Sequence, residues 1–379
     1  MNDNLFRIEM SGIRRFFNKV KNVDGAISLT LGQPDFDTPM EIKYGMIKAI
    51  EENKTVYTDN FGVLDLRREI SKYLKHKGIH YEYDEICVTV GGSEALFSSL
   101  AAIINKGDKV LIPTPAYPAY ENIVKIIGGE VINFKLNEDF SLDFEGLEML
   151  IKKENIKYMI LSYPSNPTGA ILSQEEYIKL ARIIEENNLT VISDEVYEAF
   201  CYDEYYSVAM CEDIRKNVIY IGGFSKMFSM TGIRIGYIAA YKEIIDEIGK
   251  VHQYNVSCSN SIGQYGVIEG LRYGLYNVCN MKDEFIKRKS YVENRLRKMN
   301  VDFVSPKGAF YIFPSIKKFN LNSEELCEKL LYEEKVACVP GNAFGSGGEG
   351  FIRLSYCYSH AELEEALNRI EKFVKKNRE

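Results

Sequence analysis

A chain of 379 residues, 46% hydrophobic and 27% charged, has the composition of a soluble globular protein and a length that suggests about two domains. Its formal net charge of −7 argues against a nucleic-acid partner, since proteins that bind a phosphate backbone carry a basic face. No apolar run approaches the ~18 residues of a spanning helix, so no membrane partner is expected. The first residues lack the basic and then apolar pattern of a secretion signal, and the eight cysteines include no Cys-x-x-Cys pair. They read as reduced thiols in a cytoplasmic protein. Of the four histidines, His76 and His80 flank Gly78, which disfavours a zinc-binding helix, and no metal is expected.

Taken along the chain, apolar runs alternate with helical patterns. Ile86–Val90 reads as a strand ending at Gly91-Gly92, and Glu94–Ile104 carries helical periodicity. Strand Lys109–Pro113, helix Tyr117–Ile127 and strand Glu130–Leu136 follow. Further strands are expected at Lys157–Ser162, Leu189–Asp194, Val218–Gly222 and Ile235–Ala240. Between the first two of these, Gln174–Asn187 is an amphipathic helix opened by Ser173, with Glu176 placed to complete a capping box. Near-continuous apolar strands separated by helices predict an α/β fold whose mostly parallel sheet is covered by helices on both faces. The style changes near residue 280. A long charged helix at Met281–Met299, short strands at Ala309–Phe313 and Phe351–Ser355, and a last helix at Ala361–Lys376 predict a smaller α+β domain. The expected division is residues 41–280 for the large domain, and 1–40 with 281–379 for the small one.

Ligands of such sheets sit beyond the carboxyl ends of the strands, where the unusual polar residues of this chain cluster. Lys226 follows the strand Val218–Gly222 among small residues. It is either a structural lysine or an amine whose pKa a dry setting lowers, which suits attack on a carbonyl. Arg234, eight residues on, is a fork for phosphate or carboxylate, or half of an ion pair. Asp194 ends a strand. It could hold a heterocyclic nitrogen in its protonated form or simply cap a helix, and nearby Tyr197 could donate or merely pack. Asn166, in Ser165-Asn166-Pro167-Thr168-Gly169, has the composition of a bare turn. Gly91-Gly92-Ser93-Glu94 leads from strand to helix and leaves amides free for a phosphate, without the Walker lysine or the dinucleotide glycine pattern.

The order of these pieces resembles one family. Ser225-Lys226, within GGFSKMFSMTGIRIG, is similar to the cofactor-lysine signature of class I and II aminotransferases, which have fold type I and depend on pyridoxal 5′-phosphate. The resemblance runs in the family's order through GQPDF (32–36), Tyr57, GGSEA (91–95), PAY (115–117), NPTG (166–169), SDEVY (193–197), GAFY (308–311) and FIRLS (351–355). It is nearest to the branch of aromatic and aspartate aminotransferases. The resemblance implies that Lys226 carries the cofactor as a Schiff base and shuttles the proton at the substrate Cα. Asp194 then pairs with the pyridine nitrogen, Tyr197 and Asn166 with the phenolic oxygen, and Tyr117 stacks on the ring. Backbone groups of Gly92, Ser93 and Glu94, together with Arg234, would take the phosphate. Ser225 lies beside the lysine, and Tyr57 is expected to reach in from the second subunit of a homodimer. Arg353 would clamp the substrate carboxylate, Gly32 would allow close backbone approach to it, and Asn166 and Ile13 would line the substrate. The segment from Ser11 to Phe17 resembles the family's lid.

Two positions depart from relatives. Gly223 stands where some have a phosphate-binding hydroxyl, and Ser93 where some have a lysine for acidic side chains. With Ile13, Phe17 and Tyr120 read as apolar walls, the expected donor is an aromatic or broadly apolar L-amino acid, with 2-oxoglutarate as acceptor. An aspartate-type aminotransferase is one alternative. A β-eliminating carbon–sulfur lyase of the same fold is another, and a non-catalytic ligand-sensing regulator is a third. The regulators of this kind carry a DNA-binding domain, for which the GQPDF motif at residue 32 leaves no room.

Overall fold

The computed structural model describes residues 3–8, 10, 12–20 and 22–377; Ser11, the first residue of the expected lid, lies outside them. A seven-stranded sheet organises the chain. Its strands are β1 (Ile86–Thr89), β2 (Lys109–Thr114), β3 (Glu130–Lys135), β4 (Tyr158–Ser162), β5 (Thr190–Asp194), β6 (Val218–Gly223) and β7 (Gly236–Ala239). They lie in the order β1-β7-β6-β5-β4-β2-β3. Only β7 runs antiparallel to its neighbours; the other pairings are parallel.

Strand side chains alternate between faces, so each apolar run feeds two cores. Ile160, Ile192 and Ile219 point to one side, where Leu96, Leu100, Val124 and Ile248 from three helices cover them. Met159, Leu161, Val191 and Tyr220 point to the other, against Leu180, Ile184, Val267 and Phe285. Helix Gln174–Asn187 carries the expected capping box, with Ser173 accepting from the Glu176 amide. Outside the large sheet, Ile27–Ser28 pairs with Val336–Ala337, which ties the N-terminal segment to the C-terminal part. Val339–Pro340, Ile352–Ser355 and Tyr311–Ile312 form a three-stranded antiparallel sheet beside it.

Several boundaries differ from the sequence expectation, each for a local reason. The helix expected from Tyr117 begins at Ala119, because a residue before proline is pushed out of the helical region and Pro118 takes the cap. The helix expected from Glu94 begins at Gly91, whose positive φ of 74° lets the chain turn directly out of β1. The strand expected over Ala309–Phe313 shrinks to Tyr311–Ile312, with Ala309 at φ 56° breaking the ladder. Helix Leu275–Lys298 starts six residues before the expected Met281.

Where β7 passes the turn after β1 there is no room for a side chain. A Cβ on Gly236 would lie 2.7 Å from the Gly91 carbonyl carbon and 2.8 Å from the Gly92 nitrogen. Gly232, nearby in sequence, faces open space. Gly236→Ala should therefore cost about 1–3 kcal/mol by overpacking and Gly232→Ala much less. Thermal melts of the two variants check this, and equal midpoints would contradict it.

Candidate active site

The carboxyl ends of β5 and β6 lie side by side, with Asp194 opposite Ile221 in the register. Each strand delivers one titratable group. After β6, Gly223 runs straight into the short helix Phe224–Met227, which carries Lys226. The Lys226 amine donates to the Gly32 carbonyl at 2.6 Å, which brings the GQPDF loop to the strand ends. Burial lowers its pKa to about 8; the positive charges of Arg234 and Arg353 act in the same direction, and only the Cys357 thiol opposes them. At Gly32 a Cβ would overlap the Tyr311 hydroxyl at 1.6 Å, so glycine is required for this approach.

Asp194 shows the opposite shift from the same cause. Burial raises its carboxyl to about 6, against the Tyr120 hydroxyl donating at 2.8 Å and the Val196 amide at 3.4 Å. One carboxylate oxygen is thus well held and the other only loosely. Tyr197 shares a 2.7 Å hydrogen bond with the Tyr311 hydroxyl, and both are buried.

Arg353 lies on the strand Ile352–Ser355 and is 2% exposed. Its guanidinium donates to Asn166 Oδ1 at 2.8 Å and to the Thr30 carbonyl. It lies 4.3 Å from the Tyr311 ring centroid and 5.0 Å from that of Phe344. Its Nε has no partner. A buried, permanently charged fork with an idle donor is poised for one more acceptor.

At the third corner, the helix Gly91–Ile103 presents its first-turn amides, which lack intrahelical partners, at Gly92, Ser93 and Glu94. Arg234, at φ 64°, lies against this turn: it donates to Thr231 O at 3.1 Å, Ser225 Oγ at 3.3 Å and Val90 O at 3.4 Å. A Cβ at Gly91 would strike its Nη2 at 2.4 Å. The Glu94 side chain points away into the core, where it accepts from Ser98 and the Val90 amide and meets the buried His252 Nδ1 at 3.2 Å.

Tyr117 is common to all three corners. Burial raises its phenol first and the Asp194 charge second, while Arg353, Arg14 and Arg234 pull it down. Ile13 packs against the cluster of Phe140, Phe313, Val339 and Phe344, whose Phe344 ring borders the Arg353 guanidinium. Tyr57 is 86% exposed.

Some participants carry little sequence signal. The Tyr120 hydroxyl donates to Asp194, a role its expected place as a substrate wall does not reveal; the repeated Pro-Ala-Tyr of residues 115–120 is the one hint. Tyr311 is visible as the last letter of GAFY, but its contact with Tyr197 is not. Thr30 acts through its carbonyl, which any residue possesses.

The sequence model of the family described as "Aminotransferase class I and II" matches residues 24–370. The chain belongs to this family. It is 44% identical, over 100% of its own length and 97% of the relative's, to a protein of Bacillus subtilis (strain 168) named probable N-acetyl-LL-diaminopimelate aminotransferase. It is 40% identical to the aspartate aminotransferase of Pyrococcus abyssi, covering 100% of this chain and 99% of that one. A solved aromatic aminotransferase from Pyrococcus horikoshii superposes with a TM-score of 0.90 at 38% identity, over 95% of this chain and 99% of the other. This is a pyridoxal-phosphate-dependent transaminase of fold type I.

The residues present suit that cofactor. A dry lysine offers an amine for its aldehyde. The loosely held Asp194 oxygen suits a cationic ring nitrogen, and the amide turn beside Arg234 suits its phosphate. The lysine of this aminotransferase also sets a pH dependence. A pKa lowered to about 8 means that the neutral, nucleophilic amine predominates above that pH and is lost below it. Cofactor uptake by the resolved apoenzyme should therefore speed up with rising pH, with a midpoint near 8, and then level off. A midpoint near the 10.5 of an ordinary lysine would contradict the burial argument.

Proposed function

We propose that this aminotransferase moves the amino group of an L-amino acid to a 2-oxoacid such as 2-oxoglutarate, using Lys226, Asp194 and Arg353. The observation that carries this reading is the idle Nε of the buried Arg353, a carboxylate fork held beside the depressed Lys226 amine. Every amino acid and every 2-oxoacid brings a carboxylate next to its reacting carbon, so one clamp serves both halves of the cycle. When bound, pyridoxal phosphate supplies an electron-withdrawing heterocycle that stabilises negative charge at the substrate Cα. Asp194 keeps the ring nitrogen protonated, and a cation opposite it brings its own pKa back down. Lys226 would hold the cofactor through its aldehyde carbon, and its freed amine would take the proton from the substrate Cα and return it at that carbon. Asn166 and Tyr197 orient the ring edge and hold the clamp in place. Closure of helix Gly12–Val20, which Arg15–Glu324 and Lys19–Glu328 ion pairs fasten to its neighbour, excludes water. In this reading residues 1–40 and 281–379 move as the small domain against 41–280.

The proposed active unit is a homodimer in the cytoplasm. Met40, Tyr44 and Ile47 follow helical spacing along Met40–Glu51, and all three are exposed, as are Val56 and Tyr57 just beyond. A second copy covering this strip would bring Tyr57 to its neighbour's phosphate turn. Sedimentation velocity of the holoenzyme should show a dimer, and Tyr57→Phe should weaken cofactor affinity roughly tenfold, as for one hydrogen bond to a charged group. A monomer of full activity would overturn the arrangement.

Absorbance tests the reaction itself. The visible band of the lysine-linked cofactor should vanish on adding a good amino donor and return with 2-oxoglutarate. Asp194→Asn should slow this cycling by about 100- to 1,000-fold, the scale of a lost electrostatic stabiliser. Pyruvate and ammonia released from cystathionine without an oxoacid would instead point to the lyase chemistry.

A further inference from the structure

A buried histidine that the cofactor chemistry does not use stands behind the amide turn. His252 lies on the helix Lys242–Val256 and is 0% exposed. Its Nδ1 sits 3.2 Å and 3.3 Å from the two carboxylate oxygens of Glu94. Those oxygens already accept from the Val90 amide, at 3.1 Å, and from the Ser98 hydroxyl. A carboxylate can only accept, so the hydrogen of this contact must sit on Nδ1. Nε2 has no hydrogen-bond partner among the described residues, and a hydrogen there would be a buried donor left unpaired. The imidazole is therefore the neutral Nδ1–H form, donating to Glu94.

This contact reaches the site through one residue. Val90 stands at the cap of the helix Gly91–Ile103. Glu94 holds it by its amide, and Arg234 Nη2 holds it by its carbonyl at 3.4 Å. The chain then turns at Gly91, with φ 74°, and the amides of Gly92, Ser93 and Glu94 follow at once. How Val90 is anchored thus sets where those amides aim. Glu94 anchors it only while its own side chain is fixed, and a free glutamate has much rotamer entropy to lose. Ser98 and His252 remove that freedom before any ligand arrives. Just past the same helix, Ser259 Oγ donates to the Thr89 carbonyl at 3.0 Å and steadies the strand end before the turn.

We propose that His252 is a positioning residue for the cofactor phosphate: by donating to Glu94 it fixes Val90 and so aims the amides of Gly92, Ser93 and Glu94. The proposal rests on the aminotransferase reading above, in which those amides take the phosphate. Its partner is Glu94 rather than Lys226 or Asp194, so its effect falls on the grip of the phosphate and not on proton transfer.

Equilibrium binding to the resolved apoenzyme tests this, with pyridoxal phosphate, pyridoxal and inorganic phosphate as probes. His252→Leu keeps an apolar bulk and removes the donor, whereas His252→Asn keeps an amide donor near the Nδ1 position. His252→Leu should weaken pyridoxal phosphate and inorganic phosphate by roughly 10- to 100-fold, the scale of one hydrogen bond to a charged group. Pyridoxal, which lacks the phosphate, should change by less than about twofold, and His252→Asn should recover most of the loss. The kcat at saturating cofactor should stay close to that of the wild type. Equal losses for pyridoxal and its phosphate, no loss for either, or an asparagine variant no better than leucine would each overturn the assignment. Should His252→Leu fail to fold, histidine-15N spectra of the wild-type apoenzyme decide. They should show His252 as the Nδ1–H form, with a signal that shifts on adding inorganic phosphate; an Nε2–H form or an unmoved signal would overturn the proposal. Wild-type protein that binds no pyridoxal phosphate at all would sink the aminotransferase reading, whereas normal binding by all three proteins would sink only this one.

Discussion

A permanently charged guanidinium stripped of water holds the three parts of the site together. Arg353 is 2% exposed, yet a guanidinium cannot shed its proton to escape the cost of burial. It must instead be surrounded by acceptors, and the fold supplies them from distant sequence: Asn166 after β4, Thr30 beside the N-terminal strand, and the faces of Tyr311 and Phe344. Those contacts fix how the C-terminal sheet, the N-terminal segment and the large sheet meet. Its remaining unpaired Nε keeps the charge incompletely satisfied, so a substrate carboxylate completes a structural demand as well as a catalytic one.

The same dryness tunes the two reacting groups in opposite directions. Desolvation penalises whichever form is charged, so it lowers the Lys226 amine to about 8 and raises the Asp194 carboxyl to about 6. Neither group needs a dedicated neighbour for its shift; each needs only the strand ends of β5 and β6 to be enclosed. Tyr120 then acts as the restraint, holding one Asp194 oxygen so that the other can face a ring nitrogen. Pairs of titratable groups driven apart by environment mark a site built for proton transfer.

Much of this was legible because parallel strands announce themselves. The apolar runs ending at Ser162, Asp194 and Gly222–Gly223 placed Asn166, Asp194 and Lys226 beyond the carboxyl edge of one sheet, and the register of β4, β5 and β6 sets those ends side by side. Motif order then linked Arg353, over a hundred residues later, to the same place. What the sequence hid was contact geometry. The Tyr120 hydroxyl and the Thr30 carbonyl act through position alone, and the Pro118 and Ala309 backbones moved element boundaries that apolar periodicity could not resolve.

The claim on which all of this turns is that Lys226 is the residue that bonds the cofactor, because among the described residues its amine alone combines a strand-end position with a depressed pKa beside the carboxylate clamp. Borohydride reduction of the holoenzyme, followed by peptide mass spectrometry, tests it directly. The account predicts one cofactor fixed per chain, on the peptide containing Gly222-Gly223-Phe224-Ser225-Lys226. Cofactor fixed on another lysine, or none fixed in protein that still binds it, would contradict the account.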